Sequence, residues 1–412
     1  VNTAATVDFS DAINHSHTLI QAGTPEFRHT NRALFLGGFS TFALLYCVQP
    51  LMPQFSSEFY LSPSQSSWAL SASTAALAVT LLLASALSDN IGRKALMCFA
   101  LAASAVMTIC CAFVESFSQL LVLRVILGIV LAGLPAVAMA YLSEEIDPPS
   151  LGYSMGLYIG GSACGGMSGR VLMALFSDFL SWRVALGMLG VAGLLAAVEF
   201  WRSLPASKNF HPINFHSADI LKGIRQHCAD SGLPWLFCLA FLLMGCLVSM
   251  YNYIGYRLTE AQFGLRTSEI AGIFSIYLIG IFGSVWSGKL ADKFGRRHVL
   301  WVLLLVMMAG LLLTLSNSLT MIIAGMALFT FGFFGGHSTA SSWVGRRANS
   351  PQALASGLYL FFYYLGSSVI GSLTGSLWMS SGWSGVVEGL AFLLTIALCI
   401  SVYLRGLAPL KV

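Results

Sequence analysis

The chain has 412 residues and a net charge of +4; 57 % of its residues are hydrophobic and only 9 % are charged. A soluble domain carries about 25 % charged residues, so this chain cannot cover a water-facing surface of its own size. Its small positive charge is scattered between apolar runs, which excludes a nucleic-acid-binding patch. The nine Cys lie mostly inside apolar runs with no metal-ligand spacing. They read as small core hydrophobes, and no metal or other cofactor is expected.

A bilayer core takes about 20 apolar residues per helix. On that measure residues 1–32 are a polar tail without a signal-peptide core. Spans are expected at 33–53, 66–87, 95–114, 118–142, 151–176 and 184–204. The polar stretch 205–232 then divides the chain. It lacks periodicity and reads as a tether that tolerates an insertion near Asn209. Six more spans are expected at 234–256, 269–289, 298–316, 320–344, 352–379 and 384–404, and 405–412 is a short tail. The domain reading is therefore a six-helix lobe at 33–204, a central loop at 205–232 and a second lobe at 233–404.

Lys and Arg orient the spans. Arg183, Arg257 and Arg266 fall on one side, Arg124 and Arg170 fall within spans, and all the others gather on the opposite side. That bias predicts both termini and the central loop in the cytoplasm of a bacterial inner-membrane protein. The halves also repeat. Ser85-Ala-Leu-Ser-Asp89-Asn90-Ile-Gly92-Arg93-Lys94 follows the second span, and Gly288-Lys-Leu-Ala-Asp292-Lys293-Phe-Gly295-Arg296-Arg297 follows the eighth, its Asp 203 residues further on. Tyr158, Gly160, Ser162, Gly165 and Gly169 recur as Tyr364, Gly366, Ser368, Gly371 and Gly375. A duplicated six-helix unit is the trace of a two-lobed transporter with its site between the lobes.

The second loop resembles, at every fixed position, the G-x-x-x-D-[RK]-x-G-R-[RK] motif of the major facilitator superfamily; the first has Ser85 and Asn90 in place of the Gly and the base. Arg124 with Gly128 resembles the helix-4 R-x-x-x-G motif. Gly161-Ser-Ala-Cys-Gly165-Gly166-Met-Ser-Gly169-Arg170 resembles the helix-5 antiporter motif, with Gly166 for its Pro and Arg170 for its last Gly. The resemblance covers about 33–404. The runs Tyr141 to Glu145, Asn252 to Arg257 and Ser356 to Tyr359 are most similar to the bacterial YnfM-like (acriflavine-sensitivity) efflux subfamily.

The resemblance implies the major facilitator fold, an all-α membrane protein of twelve transmembrane helices in two pseudo-symmetric six-helix lobes. It implies a monomer, with a small-molecule substrate, protons and the lipid bilayer as partners. It also implies a cytoplasmic latch. Asp89 would pair with Arg93 and with Glu144 or Glu145, and Gly288, Asp292 and Arg296 would form the second copy. The plainer alternative is topogenic charge outside the membrane.

Inside the spans, Arg124 and Arg170 either snorkel to the interface or serve as positive elements that bind an anion or tune a proton carrier. His337 is either a proton carrier or a His tied to a backbone carbonyl. Glu199 and Glu388 lie near span ends and read as interfacial. No Asp or Glu sits mid-span, which favours a neutral or anionic substrate over a permanent cation. The superfamily lines its cavity with spans one and seven, here offering Tyr46 and Gln49, then Tyr251, Asn252 and Tyr256. Span eleven adds Tyr359 and Tyr363. At 100° per residue these cannot all face one cavity. Gln49 and Asn252 stand out, because an amide is costly in lipid. The function expected is proton-coupled efflux of a small amphipathic or polar compound. An importer with the same fold is the alternative, and the Gly-rich fifth span favours export. Neither a nucleophile–base pair nor a cofactor loop supports an enzyme.

Overall fold

The structure, a computed structural model, describes residues 19–209, 217–348 and 352–407, and within these the side chains of all but 85–91, 217–220 and 352–353. The described residues are almost wholly helical. Ten helical stretches are long and apolar enough to cross a bilayer. One of them, Leu354–Gly406, bends sharply at Gly382 (φ 59°, ψ −145°), a conformation open to Gly, and so makes spans 11 and 12. The Gly- and Ser-rich helix Pro148–Phe179, 32 residues long, completes twelve as span 5 by length rather than by hydropathy. The twelve passages form the two pseudo-symmetric six-helix lobes of the major facilitator fold.

Helices run past the apolar stretches because caps, not the bilayer edge, end them. Span 1 starts at Pro25, where Thr24 caps the Phe27 amide at 3.2 Å, eight residues before the apolar run. Ser116 and Gln119 close a capping box at the start of span 4. The turns after spans 2 and 8 pass through Gly92 (φ 93°) and Gly295 (φ 86°), which explains why both copies of the loop motif carry Gly there.

Several spans break. Span 1 is helical over Pro25–Tyr46, passes through a 3₁₀ turn at Gln49–Leu51 and resumes as Met52–Glu58. Pro50 and Pro53 lack the amides a continuous helix needs. Span 4 breaks between Phe117–Leu131 and Pro135–Glu145, and span 8 between Thr267–Phe274 and Ile279–Phe294.

The lobes meet unevenly. Span 2 packs along span 11. Span 1 touches span 7 through its broken part, and span 5 meets span 8 mainly through Thr267–Leu278. The contacts of spans 1 and 7 and of spans 5 and 8 lie toward the end away from the loop motifs, called here the distal end, whereas spans 2 and 11 also approach at Leu82 and Gly357. At the motif end, span 4 and the last part of span 8 approach the opposite lobe little.

The central segment differs from a plain tether. Ser217–Cys228 is an amphipathic helix. Asn209 is buried, and its amide and side chain both donate to Glu145. An insertion at Asn209 therefore breaks a packed contact, which corrects the expectation of a tolerant loop.

Candidate functional site

The break in span 1 organises the middle of the molecule. Next to the break, the Leu44 and Leu45 carbonyls accept hydrogen bonds from Arg124 at 3.1 and 2.5 Å, and Arg124 Nε donates to Ala69 O of span 2 at 2.8 Å. Non-helical backbone at membrane depth persists only where such groups are satisfied. Arg124, 1 % exposed, is thus a staple holding spans 1, 2 and 4, with its guanidinium spent on carbonyls.

Just past the break, Gln49 reaches the seam between the lobes. Its Nε2 donates to Asn252 Oδ1 at 2.7 Å and to Val248 O at 3.3 Å. Asn252 Nδ2 donates in turn to Gly371 O at 3.2 Å. Gln49 and Asn252 are 203 residues apart, the same spacing as the two motif Asp, so they are repeat equivalents meeting across the pseudo-two-fold axis. On its other side Gln49 Oε1 accepts from Arg170 Nε at 2.5 Å, and Arg170 Nη1 donates to Gly166 O at 2.6 Å.

Arg170 is 1 % exposed, so it does not snorkel. Among the described residues it has no carboxylate partner. Aromatic rings surround it: its Cζ lies 4.3 Å from the Tyr46 ring centroid, 4.7 Å from that of Tyr277 and 5.8 Å from that of Tyr251. Rings of this kind partly replace water around a cation. The buried Tyr46 hydroxyl has no hydrogen-bond partner among the described residues. A small cavity of ≈ 30 Å³, lined in part by Gln49, Tyr251, Asn252 and Phe274, lies on the distal side of this group.

A wall of rings runs from Arg170 to His337. Tyr277 meets Phe334 edge-on at 4.9 Å, Phe334 meets Phe333 at 5.1 Å, and Phe333 stacks on His337 at 5.9 Å. His337 is half-buried; its Nδ1 lies 2.9 Å from Tyr359 Oη, and its ring lies 4.6 Å from that of Tyr363. Its side-chain partner is a phenol rather than the backbone carbonyl considered from sequence.

The distal seam is closed by hydroxyls. Tyr256 Oη lies 2.7 Å from Ser56 Oγ and 2.6 Å from Ser66 Oγ, so it belongs to this seal and not to the ring wall. Ser368 and Ser372 of span 11 donate to Ser71 O and Oγ of span 2 at 2.9 and 2.7 Å. Ser268 Oγ donates to Asp178 Oδ2 at 2.5 Å between spans 8 and 5.

At the motif end, Arg93 grips Glu144 with two bonds, of 3.1 and 2.6 Å. The Asp89 side chain lies outside the described residues. Glu145 points elsewhere: its carboxylate accepts from Ser207 Oγ, the amides of Lys208 and Asn209, and Asn209 Nδ2, at 2.7–3.1 Å. It holds the start of the central segment, a role the sequence reading did not assign. In the second copy Arg296 bonds Asp292 at 3.1 Å and Ser342 at 2.8 Å. Gly288 makes no close helix contact here, since nothing lies within 4 Å of a Cβ built on it.

Glu199 pairs with Arg32 near the same end, and Glu388 is exposed. Tyr277 went unnoticed in the sequence because nothing in its spacing sets it apart, and its repeat counterpart is Thr74.

Twelve helical passages, a duplicated charged turn and a hydrogen-bonded polar seam between two halves define a membrane transporter. The chain belongs to the Major Facilitator Superfamily, whose family model matches residues 34–369 and 256–411. It is 46 % identical over 387 residues to an MFS-type transporter of Bacillus subtilis (strain 168), YybF, with 94 % of this chain and 96 % of that one covered. It is 45 % identical over 394 residues to the inner membrane transport protein YnfM of Escherichia coli (strain K12), covering 96 % and 94 %. Among solved structures it is similar to a bacterial homolog of the human lysosomal transporter Spinster, inward-facing and unoccupied, with a TM-score of 0.72, 18 % identity, and 93 % and 96 % coverage. The nucleoside transporter NupG superposes with a TM-score of 0.75 at 13 % identity, covering 91 % and 99 %. At such identities these two speak for the fold alone.

Proposed function

We propose that the protein is a monomeric secondary transporter of the bacterial inner membrane that exports a small amphipathic or polar organic compound in exchange for protons. The two lobes, at 33–204 and 233–404, rock about the seam, with both termini and the motif end in the cytoplasm. The observation that carries this reading is the relay Arg170–Gln49–Asn252–Gly371, a row of polar groups at membrane depth bridging the two lobes. Polar groups buried there are costly, so they mark a pathway more often than a packing contact.

The closed hydroxyl seam at the distal end and the looser motif end support an inward-facing state. His337, half-buried against the Tyr359 phenol, is the proton carrier in this reading. The Arg93–Glu144 pair, with Asp89, and the Asp292–Arg296 pair form the two latch copies that bias the lobes between states. Tyr359 and Tyr363 line the substrate wall, and Arg124 shapes the site without entering it.

The test is expression in an efflux-deficient bacterial strain challenged with amphipathic compounds. Export predicts resistance to at least one compound, lost with a protonophore and with His337→Ala. Greater accumulation of every responding compound on expression overturns export in favour of uptake.

A further inference from the structure

We propose that the seam binds the anionic group of a small, flat organic anion and that Arg170 is the residue that selects its charge. This deepens the transport reading of the same seam and rests on it. The sequence left two cations open for such a role, and the structure separates them. Arg124 commits all three nitrogens of its guanidinium to backbone carbonyls of its own lobe, as a staple of spans 1, 2 and 4.

Arg170 donates to one carbonyl, to one neutral amide and to the Tyr277 phenol, all neutral partners, and no described carboxylate balances its charge. A buried charge is costly unless it is paired, so an anion is the ligand that repays the cost of placing this one. A cation beside it would meet repulsion in a medium that screens poorly.

Two further features point the same way. The buried Tyr46 hydroxyl is a donor without an acceptor, carried on a ring that lies against the guanidinium. A carboxylate, with its several lone pairs, takes donors from both. The rings of Tyr46 and Tyr277 next to Arg170, with Phe334 edge-on to Tyr277, present apolar surfaces that fit a planar body behind the anionic group.

The arrangement also links binding to the seam. Gln49 Oε1 now occupies Arg170 Nε, while the same amide bridges to Asn252 of the other lobe. An anion taking over Arg170 releases Gln49 and loosens that bridge. The substrate would then favour opening of the distal end by its own contacts, as a differential interaction between states requires.

The experiment uses the purified full chain and three matched probes: 2-naphthoate, 2-naphthamide and (2-naphthylmethyl)trimethylammonium. Isothermal titration should give naphthoate the tightest binding, with the other two weaker by about tenfold or more, the range of a charge-assisted hydrogen bond. Arg170→Gln should erase that preference. Tyr46→Phe, which keeps the ring and stays testable if Arg170→Gln does not fold, should weaken naphthoate severalfold and leave naphthamide unchanged. Equal binding of the amide or the ammonium, no naphthoate binding, or a preference that survives both substitutions overturns the proposal.

Flux of the same probes in proteoliposomes separates the two levels. Transport of the ammonium but not of naphthoate overturns the anion site and leaves the carrier standing. Arg170-dependent naphthoate binding without flux upholds the site and counts against the carrier.

Discussion

Span 5 carries two ridges of glycine, and they should respond oppositely to one added methyl group. A Cβ at Gly165 would sit 1.9 Å from Phe39 O and 2.5 Å from its C and Cα atoms on span 1. Gly161 and Gly169, one turn either side, would meet Phe35 O at 2.3 Å and Ala43 O at 2.5 Å. All of these are backbone atoms, which cannot rotate away. Gly165→Ala must therefore push spans 1 and 5 apart by about 1 Å along a close contact of the kind membrane helices rely on. Overpacking of this sort costs about 1–3 kcal/mol, against about 1 kcal/mol gained by Ala over Gly in a helix.

Gly156 is the control, because nothing lies within 4 Å of its added Cβ. Gly156→Ala should be neutral or slightly stabilising. The assay is thermal unfolding in detergent, followed by reaction of the buried thiols Cys47, Cys111 and Cys246 with a maleimide dye. Gly165→Ala should melt clearly below the parent and Gly156→Ala at or above it. Equal melting of Gly165→Ala and parent, or an equal drop in both variants, would refute the reasoning. The segment resembling an antiporter motif is in this light a packing ridge of the first lobe.

Other substitutions test the remaining elements. Arg124→Lys replaces a planar fork by a point donor; it should lower the melting temperature and Arg124→Met should lower it further, whereas parent-like melting of Arg124→Met would remove the staple. Glu145→Gln turns an amide nitrogen toward donors now held by a carboxylate, at about 1–3 kcal/mol, so proteolysis within 205–216 should quicken; an unchanged rate would count against the clamp. Asp230 lies outside the spans: partial burial pulls its carboxyl up, but Arg347 and the amides of Gly232 and Leu233 outweigh this and hold it below the ordinary 3.8. A lowered folded value means its stabilisation is complete above pH 3.8 and fades as pH falls through that lowered value. Asp230→Asn should therefore lower the melting temperature at pH 7 and have a smaller effect below about pH 3.8; a deficit independent of pH would contradict the pairing.

The bilayer makes the number of helices and their order readable, since a span must be long and apolar. The seam is partly readable for the same reason: Gln49 and Asn252 stand out because amides are costly in lipid, and the two lie against each other at 2.7 Å. The division of labour between Arg124 and Arg170 is not readable, because it depends on where the break in span 1 leaves its carbonyls. Glu145 and Tyr277 are hidden likewise. One meets a segment more than 60 residues away and the other a cation on the opposite lobe, and neither contact leaves a local pattern. The amphipathic helix Ser217–Cys228 was missed because a short polar helix resembles a loop when judged against bilayer length.

Alternating access across the seam is most directly tested by locking its distal end. Asp178 and Ser268 touch there between the lobes. Asp178→Cys and Ser268→Cys, combined in a background lacking the native thiols, allow a disulfide to be formed and then reduced in proteoliposomes carrying a transported probe. The account predicts that flux stops on oxidation and returns on reduction, because the distal contacts must part in every cycle. Undiminished flux through quantitatively cross-linked protein would contradict it.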